Sequence, residues 1–227
     1  QRHFDNINCL TLLTNLVTLN IGELWGESLW TYNICHLTNL TALKLFENNT
    51  ITLRELTNLV TIKTLTLNDI GPTDIDFIKF QTDFDDLHLT IEHSSNKNIK
   101  EMAPYIKTLR IPYRGYEEAW PMPINDNAIS CLNNLTTLAI NEEVSFTSLS
   151  LPKLTNLKTL FISDSAEFEA LTDDMTKLTN LTWLSRARNT EFAQRPDAMQ
   201  KLTNLRFLEL VQFFVNHVPY ETVLINR

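Results

Sequence analysis

The chain has 227 residues, of which 43% are apolar and 20% charged, with only four glycines and a formal net charge of −8. Such a balance supports a buried core, leaves no Gly/Ser- or Pro-rich linker, and contains no apolar run of about 18 residues long enough to span a membrane as a helix. The acidic body repels phosphate backbones, so nucleic acid is not expected as the main partner.

Residues 1–12 place Phe4, Ile7, Leu10 and Leu12 ahead of the first regular segment and read as an N-terminal cap. An apolar grammar then returns along the chain, most regularly at Leu37 to Leu45, LTNLTALKL. Taking the central leucine of each copy as its anchor, the anchors are Leu19, Leu43, Leu65, Leu87, Leu109, Leu138, Leu160, Leu184 and Leu208, at intervals of 22 to 24 residues except for one of 29. The residue three before each anchor is apolar in all nine copies, and the residue two after it in eight; Arg186 is the exception. Side chains alternate along a strand, so the anchor and the residue two beyond it face one side and the residues between face the other. Each copy therefore predicts one short strand whose leucines need a neighbouring copy to be covered.

The segments between strands are less regular. The first, GELWGESLWTYNICH, carries Trp25, Trp30 and Tyr32, which either pack as core on the returning side or form an exposed cluster of interface type. Short helices are expected at 72–80 and 196–201. Gln81 and Ala103 replace the leucine that opens the phrase elsewhere, and the 29-residue interval then adds about seven residues, expected as a longer loop at 112–131. There Tyr113, Tyr116, Trp120 and Met122 interleave with Arg114, Glu117 and Glu118 among three prolines. This is interface composition on a stiffened loop, or else a loop folded down on its own repeat. Residues 213–227 hold no further copy and read as a C-terminal cap.

A period of this length with an L-x-x-L-x-L core resembles the leucine-rich repeats, and the LTNL phrases are similar to those of internalin-type and phosphatase-regulator-type repeats. The resemblance covers residues 13–212 and implies an α/β leucine-rich-repeat solenoid, a curved right-handed horseshoe with about nine parallel strands on its concave face and irregular or short helical convex segments. One domain over residues 1–227 is expected, because a repeat array grows in one dimension. The family consensus also places an asparagine five after the anchor; here only Asn48 and Asn189 stand there. In such proteins the sheet usually presents a binding surface.

That surface can be read from the register. One residue after the anchors stand His88, Arg110 and Phe161 among polar residues, and one before them five threonines, then Trp183 and Phe207 on adjacent strands. Trp183, Phe207 and Phe161 would form an apolar patch that is either a contact site or covered by the tail. Four after the anchors run Glu23, Glu47, Asp69, Glu142 and Asp164, with Arg188 near the end, an acidic rim that is either simply solvated or attracts basic partners. The expected partner-contacting residues are thus Phe161, Trp183, Phe207, Arg188, Arg110, His88, Tyr113, Tyr116, Trp120, Glu47 and Asp69. Arg186, expected on the core side, must either snorkel along its aliphatic stem or interrupt its strand.

No reaction is indicated. The five histidines and three cysteines show no metal-ligand spacing, and the glycines form no phosphate-cradling phrase, so neither catalysis, a metal nor a cofactor is expected. Cys9, Cys35 and Cys131 read as small core residues. Two functions remain: a non-catalytic protein-binding module using the concave sheet and the 112–125 loop, as a recognition subunit of a larger assembly, or an extracellular ligand-binding or adhesion ectodomain. Four N-x-Thr sequons, at Asn39, Asn48, Asn134 and Asn180, are the hint for the second. With no charged and apolar leader at the start, a cytoplasmic location is expected, or a secreted or cell-surface one for a processed fragment.

Overall fold

The computed structural model describes residues 8–21, 34–45, 59–68, 78, 86–90, 96–111, 124–141, 144, 146–147, 149–163, 175–187, 200–211 and 222–226. The chain divides into two compact units, Gln1–Thr90 and Ile91–Arg227.

In the first unit four strands, β1 (Thr18–Ile21), β2 (Ala42–Leu45), β3 (Thr64–Asn68) and β4 (Asp86–Thr90), pair in sequence order and in parallel. In the second, β5 (Ile106–Ile111), β6 (Thr137–Ile140), β7 (Thr159–Ser163), β8 (Trp183–Ala187) and β9 (Phe207–Val211) do the same. Every paired anchor sits opposite the next, as in Leu19↔Leu43 and Leu160↔Leu184. These are the nine expected parallel strands, four in one unit and five in the other. A tenth strand, β10 (Thr222–Asn226), runs antiparallel to β9 with Asn226 opposite Phe207. It occupies the edge of β9, where unpaired backbone groups would otherwise remain.

The leucine columns close the core. Leu43, Leu65, Leu87, Leu109, Leu138, Leu160 and Leu184 are fully inaccessible, and Leu208 nearly so. Leu19 departs from the expected burial and is only half-covered, because β1 is an edge strand among the described residues and has a neighbour on one side only. Leu13 and Val17 beside it are exposed for the same reason. A further column, six before the anchor, is buried at Leu37, Leu59, Ala103, Leu132, Leu154, Leu178 and Leu202.

Between strands the chain turns tightly, with 3-10 turns at Asn8–Leu12, Leu151–Lys153 and Met175–Lys177. Two α-helices of the second unit lie within the described residues. The first, α1 (Asn96–Met102), was not expected; it stands in the divergent repeat that lacks the LTNL phrase, and Ile99 and Met102, three apart on one face, are its buried pair. The longer loop expected at 112–131, whose residues 112–123 lie outside the described residues, contains the second, α2 (Asp126–Ile129). Its last residues form a helical turn capped by the Asn125 side chain, which accepts from the Ala128 N–H at 3.0 Å, and it buries Ala128 and Ile129. Asn96 accepts the Asn125 N–H at 3.0 Å, and Asp126 accepts the Thr147 N–H at 2.9 Å, tying three successive returning segments together. Of the helices expected at 72–80 and 196–201, only Ile78, which is buried, and residues 200–201 are described. Cys131, expected in the core, is half-buried and donates its thiol to the Asn127 carbonyl at 3.1 Å.

Among the described residues a side chain clamps six of the turns to the one before. The Asn39 amide donates to the Thr14 carbonyl at 2.8 Å, and Asn134, Asn156, Asn180 and Asn204 donate to Pro104, Asn133, Thr155 and Thr179, each at 2.7 Å. All five stand four before an anchor and reach the carbonyl five before the preceding anchor. In the third repeat Thr61 takes this place, and its hydroxyl is shared between the Thr38 carbonyl at 2.9 Å and the Leu40 carbonyl at 2.7 Å. Thr41, Thr136 and Thr182 add a parallel series, donating to Val17, Lys107 and Lys158 at 3.3, 3.0 and 3.0 Å. The asparagine ladder that the family consensus puts after the strand is therefore found ahead of it; Asn48 and Asn189, the two consensus positions, lie outside the described residues.

Two substitutions separate core from clamp. Leu138→Ala is expected to cost about 2 to 5 kcal/mol through transfer and cavity terms, and Asn180→Ala about 1 kcal/mol for one net hydrogen bond. Denaturant midpoints at unchanged slope measure both; a Leu138→Ala midpoint equal to the parent's would contradict the register.

Candidate functional site

Alternation turns positions one before and one after each anchor away from the leucine core, so the open face of the sheet is built from those two columns. Most copies place threonine there, a strand former at ease in water. In the second unit the pattern changes across β7, β8 and β9. Trp183 lies between Thr159 and Phe207 in register, and Ser185 between Phe161 and Glu209.

The three aromatic rings meet. Trp183 and Phe207 have centroids 5.0 Å apart at an interplanar angle of 31°, and Phe161 and Trp183 are 6.0 Å apart at 51°. Both are within the range of favourable aromatic pairs. Trp183 is nonetheless 38% and Phe207 43% exposed, while Phe161 is half-buried. The tail does not remove the patch from solvent: β10 pairs along the edge of β9, and both rings remain open. Next to them the Ser185 hydroxyl donates to Glu209 Oε2 at 2.8 Å. Ser185 and Glu209 stood in the readable columns, but a serine and an acid carry no signal there until the register sets them beside three rings.

The other expected contact residues distribute as follows. Arg110 is exposed on β5, level with Ala139 and then Phe161, so about 10 Å of sheet separates it from the patch. His88 is half-buried on β4 in the first unit, paired in register with Thr66. Glu47, Asp69, Tyr113, Tyr116, Trp120 and Arg188 lie outside the described residues, as do Trp25, Trp30, Tyr32 and the remaining rim acids Glu23, Glu142 and Asp164. Among the described residues no group of three His, Cys, Asp or Glu side chains could hold a metal ion. No described helix is long and apolar enough to cross a membrane.

Arg186 resolves differently from both alternatives that the sequence allows. It is 2% exposed, so it does not snorkel, and β8 runs unbroken through it with Ile162 and Leu210 as its register partners. Burial, which desolvates the charged form, pushes its guanidinium down to about 10. The aromatic patch therefore rests on a regular strand with a costly residue on its inner side.

No protein-family profile and no curated protein matches the chain. Solved structures do. A leucine-rich-repeat protein of Leptospira interrogans is 18% identical over 90% of this chain and 58% of its own, with a TM-score of 0.51. The TLR13 of a TLR13–ssRNA13 complex is 16% identical over 91% and 34%, with a TM-score of 0.55. An internalin (inlF) of Listeria monocytogenes is 18% identical over 93% and 65%, with a TM-score of 0.46. The chain thus spans less than two thirds of each of these three proteins. The fold that the Leptospira protein and TLR13 share with it is the leucine-rich-repeat fold.

Arg186→Met is expected to raise stability by about 1 to 3 kcal/mol at neutral pH, since an apolar stem replaces a desolvated charge. The unfolded chain holds the arginine proton more tightly than the folded one, so the parent gains stability as pH rises above about 10. The advantage of the methionine variant should accordingly be constant below pH 9 and narrow above pH 10 in denaturant titrations.

Proposed function

We propose that this chain is a non-catalytic protein-binding module that takes its partner on the open face of β7, β8 and β9. The observation that carries the reading is the stack of Phe161, Trp183 and Phe207, two of its rings left in water on a face where four of the six copies before β7 place threonine one before the anchor. Keeping large rings in water loses the stabilisation their burial would bring, about 25 cal/mol per Å² of apolar surface. Clustered Trp and Phe on a rigid sheet instead supply contact area at little entropic cost, as interface anchors do. Parallel strands hydrogen-bonded on both sides, backed by a leucine core, hold the rings in place before a partner arrives.

Arg110 on the same face, the 112–125 loop with Tyr113, Tyr116 and Trp120, and the charges Arg188, Glu47 and Asp69 are proposed as outlying contacts. His88 is proposed as a contact on the first unit. TLR13 occurs in a complex with ssRNA13, but the net charge of −8 on this chain favours a protein over a polyanion. As for an extracellular role, Asn39, Asn134 and Asn180 each serve the turn clamp, which accounts for their presence without glycans and leaves Asn48 as the sequon to examine.

Replacing Trp183 and Phe207 together by alanine should leave the fold intact, because both are exposed, and weaken partner binding about 30-fold or more. Neutralising Glu47 and Asp69 should chiefly change the association rate and its salt dependence. Surface plasmon resonance with a partner whose cross-links map to β7–β9 measures both; unchanged affinity in the aromatic double variant defeats the reading.

A further inference from the structure

Ser185 is a short side chain between two larger ones. On the open face its register partners are Phe161 on β7 and Glu209 on β9, and Trp183 stands two residues before it on the same strand. Adjacent strands are about 4.8 Å apart and residues two apart on one strand about 6.8 Å. A serine at the centre therefore leaves a notch roughly one side chain wide, floored by a hydroxyl and walled by a phenyl ring, an indole and a carboxylate. The Ser185 hydroxyl donates to Glu209 Oε2 at 2.8 Å. That bond holds the carboxylate at the notch and uses the one side-chain donor on its floor. Among the described residues Glu209 Oε1 has no hydrogen-bond partner.

We infer that this notch receives a cationic side chain, an arginine on a basic segment of the protein partner, stacked on Trp183 and ion-paired with Glu209. Each wall favours a cation: aromatic faces carry a negative quadrupole, the carboxylate is anionic, and the hydroxyl already points its proton at that carboxylate. Arginine fits better than lysine, because its planar guanidinium can lie on a ring and present N–H groups at its edge to a carboxylate in the same plane. An anion or an acidic peptide meets like sign on every side. The net charge of −8 on the chain steers a basic segment towards it at longer range. The inference rests on the reading of β7–β9 as the partner-binding face and adds the chemistry of what that face accepts.

The test is a selection of random dodecapeptides displayed on phage against the immobilised full chain, followed by affinity measurements on synthetic copies. Selected peptides that need Trp183 should be enriched in arginine. Replacing the arginine by citrulline, which keeps the shape and loses the charge, should weaken binding to the parent about tenfold, the scale of one cation–π contact combined with one surface ion pair. Glu209→Gln should abolish most of the difference between the arginine and citrulline forms while far-UV circular dichroism stays unchanged. Peptides that depend on Trp183 but show no basic enrichment, or bind equally as citrulline forms, would overturn the inference and leave the binding face standing. Selected peptides indifferent to Trp183→Ala would overturn both.

Discussion

A repeat of 22 to 24 residues has one strand and one apolar stripe, and neither can be satisfied within the repeat: the strand needs a neighbour for its backbone groups and the stripe needs one for its leucines. Both needs are met at once only if copies stack with anchor opposite anchor, as Leu138, Leu160 and Leu184 do. The turns pose the remaining difficulty, because the carbonyls five before each anchor lie outside the strand ladder and point away from it. The asparagine side chain of the next repeat donates to them at 2.7 to 2.8 Å. Core, sheet and turn are thus held by the same translation from one copy to the next.

This arrangement explains why the open face is free to vary. The leucine columns are not built from the side chains one before and one after the anchor, so threonine, tryptophan or glutamate can stand there without interrupting them. The aromatic patch on β7–β9 uses that freedom. Its rings contact one another rather than the core, and the strand beneath them stays regular even at Arg186, whose burial weakens the unit. The edge of β9 is closed by β10, which lets the last parallel strand carry Phe207 and Glu209 without offering an unpaired backbone next to them.

The turn clamp also changes the meaning of a familiar motif. N-x-Thr at Asn39, Asn134 and Asn180 arises because an amide is wanted four before the anchor and a hydroxyl two before it. Thr41, Thr136 and Thr182 make their own bonds to the preceding strand. Two structural requirements two residues apart spell a sequon.

The period, the anchors, the facing of each column and the presence of Trp183 and Phe207 in one row were all readable in the chain, because each depends on local alternation and on a repeat interval that covalent order preserves. The tertiary structure alone decided what depends on distance between copies. It set the ring separations and left the rings exposed, brought the Ser185 hydroxyl to the Glu209 carboxylate, and chose which carbonyl each asparagine meets. It also buried Arg186 where the sequence allowed only a snorkelling side chain or a broken strand, and it formed helices at Asn96–Met102 and Asp126–Ile129 where the repeat phrase is missing or stretched. In those places the residues carry no periodic signal, and their conformation follows from what the neighbouring repeat leaves uncovered.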